Sequence, residues 1–160
     1  GSSYRYRRPS PICGRSRALG GYVRPIYQTE RDTANESIVM DFIQSKYKCN
    51  FMLTRPLDPF DAVILDDDDV VVALVEIKSR RNTSDKYPTY MLSGAKADTV
   101  IRIAESMDAI PLLMVKFTDG IFVTKLMSGF ERKRGGRYDR GDALDMEECI
   151  FIPMDRFRAL

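Results

Sequence analysis

The fold is decided by nine consecutive residues, VVVALVEIK at positions 70–78. Six apolar residues open this stretch, and Glu76, Ile77 and Lys78 close it. Because side chains of an extended strand alternate between faces, Glu76 and Lys78 point to one face and Ile77 to the other. A strand that is apolar on both faces is typical of the centre of a sheet. Buried charges are costly unless they are paired or bind metal, so the stretch predicts a central strand that ends in a cation site.

A second strand is predicted just before this one, at residues 60–65. The four aspartates Asp66–Asp69 separate the two strands and predict the turn of an antiparallel hairpin. Asp61 lies near the start of the earlier strand, and neighbouring strands are only about 4.8 Å apart. Asp61 and Glu76 are therefore able to share one ion. The acidic run lies at the far end of the hairpin from Glu76, and we interpret it as a solvated turn.

The remaining elements alternate between helices and strands. Apolar residues at helical spacing predict helices at 32–47 and from Ser93 or Gly94 to a point before Pro111. Further strands are predicted at 51–53, 90–92, 112–117, 121–126 and 148–152, with a hairpin turn at Asp119-Gly120 and a helical turn from Met154. This order predicts an α/β fold, in which helices flank a central mixed sheet.

The length of 160 residues predicts one folded domain, at 30–160. Residues 1–29 combine prolines and glycines with arginines and have no hydrophobic period, which predicts a basic, irregular arm. No apolar run approaches the roughly 20 residues that a bilayer span needs. We therefore expect no membrane partner and no secretory signal.

The available side chains restrict the chemistry. The chain has no histidine, which removes the usual general base and the commonest transition-metal ligand. The three cysteines Cys13, Cys49 and Cys149 are scattered and odd in number, which argues against a disulfide framework or a zinc site and favours a reducing cytosol. Hydrolytic chemistry in this chain must therefore depend on carboxylates, lysine and a metal that prefers oxygen ligands.

Basic residues are concentrated in two segments, although the net charge is only +2. No acid precedes Glu30, whereas that part of the chain contains six arginines. A second basic cluster lies in a glycine-containing loop predicted at 129–141, and its members are Arg132, Lys133, Arg134, Arg137 and Arg140. Such segments suit contact with a polyanion, because cations that neutralise phosphates release counterions. The alternative is that they only keep the domain soluble. The second cluster favours nucleic acid.

Asp58-Pro59-Phe60-Asp61, followed by Glu76-Ile77-Lys78, resembles the motif of the PD-(D/E)XK nuclease superfamily. The resemblance is greatest to phage nucleases and to archaeal-type Holliday junction resolvases. It implies a restriction-endonuclease-like core over roughly residues 32–126. One departure is that Phe60 separates the proline from Asp61.

The resemblance also implies roles for individual residues. Asp61 and Glu76 would bind Mg²⁺ or Mn²⁺, with the backbone carbonyl of Ile77 as a third ligand. Lys78 would position and activate the attacking water. Glu36 matches an additional acid on the first helix of many members. Glu36 also fits a capping box with Thr33, in which it would bond the backbone of the cap residue instead of a metal.

Several basic residues are candidates for DNA contact. Lys96 resembles a residue that many members carry early in the second helix, where phosphate can bind, but an ordinary exposed helix lysine explains it equally well. Arg80 and Arg81 follow the catalytic strand and would line a DNA groove, or they solubilise a loop. The basic loop adds Arg132, Lys133, Arg134 and Arg137.

The expected function is that of a Mg²⁺-dependent deoxyribonuclease. The resemblance implies branched DNA as substrate, a homodimer, and the cytoplasm of a bacterial or phage-infected host cell; no nucleotide cofactor is expected. The alternative is a non-catalytic DNA-binding or recombination accessory module in which the carboxylates are structural. A metal-dependent enzyme that acts on RNA is a third reading.

Overall fold

The two helices and nine strands of the computed structural model lie in residues 30–47, 50–54, 58–136 and 146–160, the part of the chain that the structure describes. The helices are α1 (Glu30–Tyr47) and α2 (Gly94–Ser106). The strands are β1 (Asn50–Leu53), β2 (Ala62–Leu65), β3 (Val71–Ser79), β4 (Thr89–Ser93), β5 (Ile110–Phe117), β6 (Gly120–Lys125), β7 (Glu131–Gly136), β8 (Met146–Pro153) and β9 (Arg158–Ala159). One turn of 3₁₀ helix, Met154–Arg156, separates β8 from β9.

The larger sheet has six strands in the order β1-β2-β3-β5-β6-β9. The pairing of β3 with β5 is parallel, and the other pairings are antiparallel. This confirms the predicted α/β fold around a mixed sheet. Both predicted hairpins are present, because Ala62 pairs with Val75 and Phe117 pairs with Gly120. Strand β3 lies inside the sheet, as its two apolar faces predict.

The two helices pack on opposite faces of this sheet. Val39 and Ile43 of α1 cluster with Val75 and other residues of one face. Val100 and Ala104 of α2 share the second core cluster with Leu74, Leu113 and further residues of the other face. Each fully buried aliphatic side chain contributes roughly 1.5–3 kcal/mol, so the alternation within β3 fixes which residues face which helix. Glu76 and Lys78 follow Leu74 at even positions and face α2.

A second sheet contains three antiparallel strands in the order β4-β8-β7. Leu92, Ile150 and Ile152 of this sheet are buried in the α2-side core. The predicted loop at 129–141 is wrong in its first half, because residues 131–136 form β7 and pair with β8. Residues 137–145, and Arg137 and Arg140 with them, lie outside the described part of the chain.

The first helix begins earlier than the sequence predicts. It starts at Glu30, so Thr33 lies inside the helix and is not its N-terminal cap residue. The capping-box interpretation of Glu36 is therefore wrong. The predicted arm at 1–29 lies outside the described residues, and the domain division stays a prediction.

Two general expectations concern membranes and cysteines. Among the described helices, none combines the length and hydropathy of a membrane span. Cys149 is a buried free thiol, and Cys13 and Cys49 lie outside the described residues.

Candidate active site

Strand β3 delivers the two charged side chains of its last half to the α2 side of the sheet. Glu76 is only 1% exposed, and the side chain of Lys78 is 37% exposed. Lys78 Nζ lies 3.5 Å from Glu76 Oε1. The buried strand therefore carries one carboxylate deep in the protein and an ammonium group at the boundary with solvent.

Asp61 lies one residue before β2 and faces the end of β3. Its backbone N–H donates to the carbonyl of Val75 at 2.9 Å. Its carboxylate oxygen Oδ2 accepts a hydrogen bond from the backbone N–H of Ile77 at 2.8 Å. These two bonds bracket Glu76, so the carboxylate of Asp61 lies beside that of Glu76. The structure thus brings together Asp61 and Glu76 as the sequence predicts.

The backbone of Ile77 points to the same place. Within an extended strand, the N–H and the C=O of one residue face the same neighbouring strand. Since the N–H of Ile77 bonds Asp61, its carbonyl also faces the Asp61 side. This orientation agrees with the predicted role of that carbonyl as a ligand.

Lys96 reaches the same carboxylate from the second helix. Helix α2 begins at Gly94, and the hydroxyl of Ser93 accepts a hydrogen bond from the backbone N–H of Lys96 at 3.3 Å. This cap sets the start of the helix, and Lys96 Nζ lies 3.6 Å from Glu76 Oε1. Lys96 therefore belongs to the cluster and is more than a solvated helix lysine.

The charge of Glu76 is only partly compensated by the described residues. Its second oxygen, Oε2, is buried and has no hydrogen-bond partner among the described residues. The pKa of this carboxyl is raised from 4.5 to about 7, because burial, the negative charge of Asp61 and a side-chain hydrogen bond with Asp61 raise it, while Lys78 and Lys96 counteract these effects only in part. A buried oxygen without a partner is destabilising, and a divalent cation would satisfy it.

The donor set fits a hard cation with few protein ligands. Two carboxylates and a backbone carbonyl supply only oxygen, as Mg²⁺ and Mn²⁺ prefer, and Mg²⁺ keeps several waters. Within the described ranges, no group of three acidic or thiol side chains is arranged to hold a metal. The predicted set of Glu36, Asp61 and Glu76 is therefore not assembled in this structure.

Glu36 lies on α1, which packs on the opposite face of the sheet from Glu76. Its side chain is half-buried and makes an interaction of its own. A direct role for Glu36 in binding the metal stays a prediction.

Arg80 extends the line of charged residues beyond Lys78. Its guanidinium lies over the ring of Tyr90, 4.8 Å from the centroid. Tyr90 is 4% exposed and makes edge contacts with Phe117 and Phe157, so the ring itself is held in place. A cation over an aromatic face is attracted to it, which orients Arg80. No local pattern predicts this role of Tyr90, because Arg80, Phe117 and Phe157 come from other parts of the chain.

The phenol of Tyr90 is a second buried polar group near the site. Its hydroxyl has no hydrogen-bond partner among the described residues. Burial raises the pKa of this phenol to about 12, and it is therefore a neutral group at ordinary pH.

Two of the β7 residues predicted to contact DNA, Arg132 and Lys133, contact acidic side chains of the protein instead. Arg132 donates to Asp98 at 2.6 Å and 3.0 Å, and to Glu148 at 3.1 Å. Its guanidinium joins β7 to α2 and β8, so the predicted DNA contact by Arg132 is not favoured. Lys133 lies 3.2 Å from Glu131 and over the ring of Phe151.

The other residues of these segments that were predicted to contact DNA are Arg81, Arg134 and Arg137. Arg81 and Arg134 are exposed and stay candidates. Arg137 lies outside the described residues.

The acidic run is a turn, as predicted. One oxygen of Asp66, Oδ1, accepts hydrogen bonds from the backbone N–H groups of Asp68 and Val70 at 2.9 Å and 3.0 Å. Asp69 adopts a positive φ of 60°. The carboxylate of Asp66 thus stabilises the turn itself.

Comparisons with known proteins point to one family and one fold. The family model described as "Phage putative PDDEXK endonuclease" matches residues 22–160. A search of curated proteins gave no significant match. Among solved structures, the chain is similar to Hjc of Archaeoglobus fulgidus, a Holliday junction resolvase from an archaeal hyperthermophile, with a TM-score of 0.52 and 15% sequence identity. That match covers 76% of this chain and 87% of the Hjc chain, and at this identity it shows a common fold.

Proposed function

The chain belongs to the family of phage PD-(D/E)XK endonucleases, and we propose that it is a divalent-metal-dependent deoxyribonuclease that hydrolyses phosphodiester bonds. The observation that carries the proposal is the carboxylate of Glu76. It is buried, one of its oxygens has no hydrogen-bond partner among the described residues, and the other lies between two lysines. Glu76 adjoins Asp61 where β2 and β3 meet. An arrangement whose only purpose was stability would be expected to satisfy both oxygens.

Asp61, Glu76 and the carbonyl of Ile77 would hold the metal, which is Mg²⁺ or Mn²⁺. When bound, such an ion lowers the pKa of a coordinated water and offsets negative charge on the phosphate. The protein's part is to keep both carboxylates oriented. The hydrogen bond from Ile77 N–H fixes Asp61, and the close packing of β3 fixes Glu76.

The two lysines would act on the substrate and on water. Lys78 is partly exposed beside Glu76, so its ammonium can orient the attacking water, and its neutral amine form can accept the proton of that water. Lys96 approaches from α2 and would stabilise charge that develops on the phosphate oxygens. The contacts of both ammonium groups with Glu76 hold them beside the proposed metal site.

Arg80, held by Tyr90, and the exposed Arg81 and Arg134 would contact the DNA backbone on this side of the molecule. The fold similarity to a Holliday junction resolvase makes branched DNA the substrate to test first, and a homodimer the assembly to test. Both are analogies from fold. We place the protein in the cytoplasm of a bacterial or phage-infected host cell.

The proposal is tested by cleavage of supercoiled, linear, flapped and four-way DNA, with Mg²⁺ and with EDTA. We expect Mg²⁺-dependent cleavage by the wild type and a loss of at least about 100-fold in Lys78→Ala, because general acid-base and electrostatic terms are of that size. Lys86→Ala is the matched control, since Lys86 is an exposed lysine on the loop after β3.

Three results separate the alternatives. Cleavage in EDTA, or equal activity of wild type and Lys78→Ala, would remove the proposed chemistry. Binding of DNA without any cleavage would favour the accessory module. Faster cleavage of RNA than of DNA of the same sequence would favour an RNA substrate.

A further inference from the structure

A cavity that shares no lining residue with the cluster around Glu76 lies against β5, β6 and the C-terminal segment. Its volume is about 260 Å³. The apolar part of its lining consists of Leu112, Val123, Met127 and Phe130. The polar part consists of Thr124, Lys125, Arg156 and Arg158. None of these residues belongs to the cluster around Glu76, and none is among the site residues that the sequence predicts.

The charge of the cavity has one sign. All three charged residues in its lining, Lys125, Arg156 and Arg158, are basic and exposed. Among the described residues, none of the three takes part in an ion pair, in contrast to Arg132, which contacts two carboxylates. Cations that surround an apolar depression and form no ion pair with the described residues favour an anionic ligand with an apolar part.

The two arginines are presented by a fixed piece of backbone. Phe157 lies between them and is buried in the core, with 8% of its surface exposed. Arg158 also pairs with Val123 in the ladder between β6 and β9. The burial of Phe157 and this pairing hold Arg156 and Arg158 on the outside of the sheet, at the mouth of the cavity.

We propose that this cavity binds one unpaired base of single-stranded DNA, with the neighbouring phosphates held by Lys125, Arg156 and Arg158. A positively charged track beside apolar and aromatic side chains is how proteins bind single strands. The cavity is smaller than the roughly 300–1,000 Å³ of typical ligand pockets, which suits one base better than a whole nucleotide. Bases within a duplex are stacked and paired, and unstacking one costs free energy, so an unpaired strand enters more easily.

Charge argues against the chain's own N-terminal segment as the occupant. Residues 1–29 contain six arginines and no acid, so they would be repelled by the three cations of the cavity. The inference rests on the proposed function in taking DNA as the partner. It extends that function, because it gives the enzyme a contact with unpaired DNA outside the site of cleavage.

The test is DNA binding in EDTA, measured by fluorescence anisotropy with a labelled single strand and with the corresponding duplex, over a series of salt concentrations. We expect Arg156→Ala and Arg158→Ala each to weaken single-strand binding several-fold and to change duplex binding less. The slope of log K against log salt should fall by about 0.7 for each phosphate contact that is lost. Met127→Glu, which places a carboxylate at the exposed mouth, should weaken single-strand binding as strongly.

Arg102→Ala is the matched control, since Arg102 is an exposed arginine on α2, and it should bind as the wild type does. Unchanged single-strand binding by the two arginine variants would overturn the inference. So would an equal loss for duplex and single strand, which would indicate backbone contact without a base. Full competition by an acidic peptide with apolar residues, or self-association lost in Met127→Glu, would assign the cavity to a protein.

Because binding is measured without metal, this experiment does not depend on cleavage. A protein that binds single strands through this cavity but never cleaves DNA would overturn the proposed function alone.

Discussion

Glu76 is a buried acidic residue whose charge the described side chains compensate only in part. Its side chain is 1% exposed and keeps one oxygen without a hydrogen-bond partner among the described residues. A buried charge of this kind costs free energy unless something neutralises it. The lysines at 3.5 Å and 3.6 Å neutralise it only partly, since each is more than one-third exposed and screened by solvent. A divalent cation would neutralise this carboxylate more completely than the two lysines do.

This burial makes the stability of the metal-free protein depend on pH. The pKa of Glu76 is raised from 4.5 to about 7 in the folded state, so the folded protein binds this proton more tightly than the unfolded chain does. The stabilising contribution of the protonated Glu76 carboxyl to the free energy of unfolding is therefore complete below about pH 4.5 and is lost as the pH rises through about 7. A shift of this size corresponds to roughly 3 kcal/mol.

Glu76→Gln should remove this dependence, because glutamine carries no charge at any pH. In EDTA, we expect the variant to have a larger free energy of unfolding than the wild type at pH 8, and nearly the same value at pH 4. Urea denaturation at the two pH values measures it. Glu105→Gln, at an exposed position on α2, is the control and should follow the wild type. If the variant is no more stable than the wild type at pH 8, the buried charge of Glu76 does not destabilise the folded protein.

The sequence predicted most elements well where local signals were strong. Strand β3, the β2–β3 hairpin and the β5–β6 hairpin follow from apolar runs and turn residues, and α2 follows from its apolar stripe. Strand β7 was missed because its sequence ERKRGG contains no apolar residue, and glutamate, lysine and glycine have low strand propensity. It forms through pairing with β8, and the charge of Arg132 is met by Asp98 and Glu148 from distant positions.

The packing of α2 against β8 depends on a glycine. A Cβ atom on Gly94 would lie 2.9 Å from the backbone carbonyl oxygen of Glu148 and 3.2 Å from the guanidinium of Arg132. The carbonyl oxygen belongs to the strand ladder and is not free to move away. The small size of this residue therefore lets the first turn of α2 approach the second sheet.

Gly94→Ala should lower the free energy of unfolding by about 1–3 kcal/mol, the usual cost of overpacking. Chemical denaturation measures the change. Gly129→Ala is the matched control, because a Cβ atom there would meet nothing within 4 Å. If Gly94→Ala proved as stable as the wild type, the close contact between α2 and β8 would be incorrect.

The candidate active site lies where β2, β3 and α2 converge. The strand pattern predicted that Glu76 and Lys78 share a face, and the resemblance to PD-(D/E)XK nucleases implied Asp61 as their partner. The contact between Lys96 and Glu76 depends on how α2 crosses the sheet, which no local pattern specifies. The same holds for the cavity beside β9, because it joins residues from 112 to 158. Such features arise only from tertiary packing.

The central claim is that Asp61 and Glu76 together hold a divalent cation, and calorimetric titration of the full chain with Mn²⁺ tests it most directly. We predict one site in the wild type, and at least about tenfold weaker binding in Asp61→Asn and in Glu76→Gln, because each removes a ligand. Asp67→Asn, in the exposed acidic turn, should bind as the wild type does. Unchanged binding by Glu76→Gln, or loss of binding in Asp67→Asn, would contradict the account.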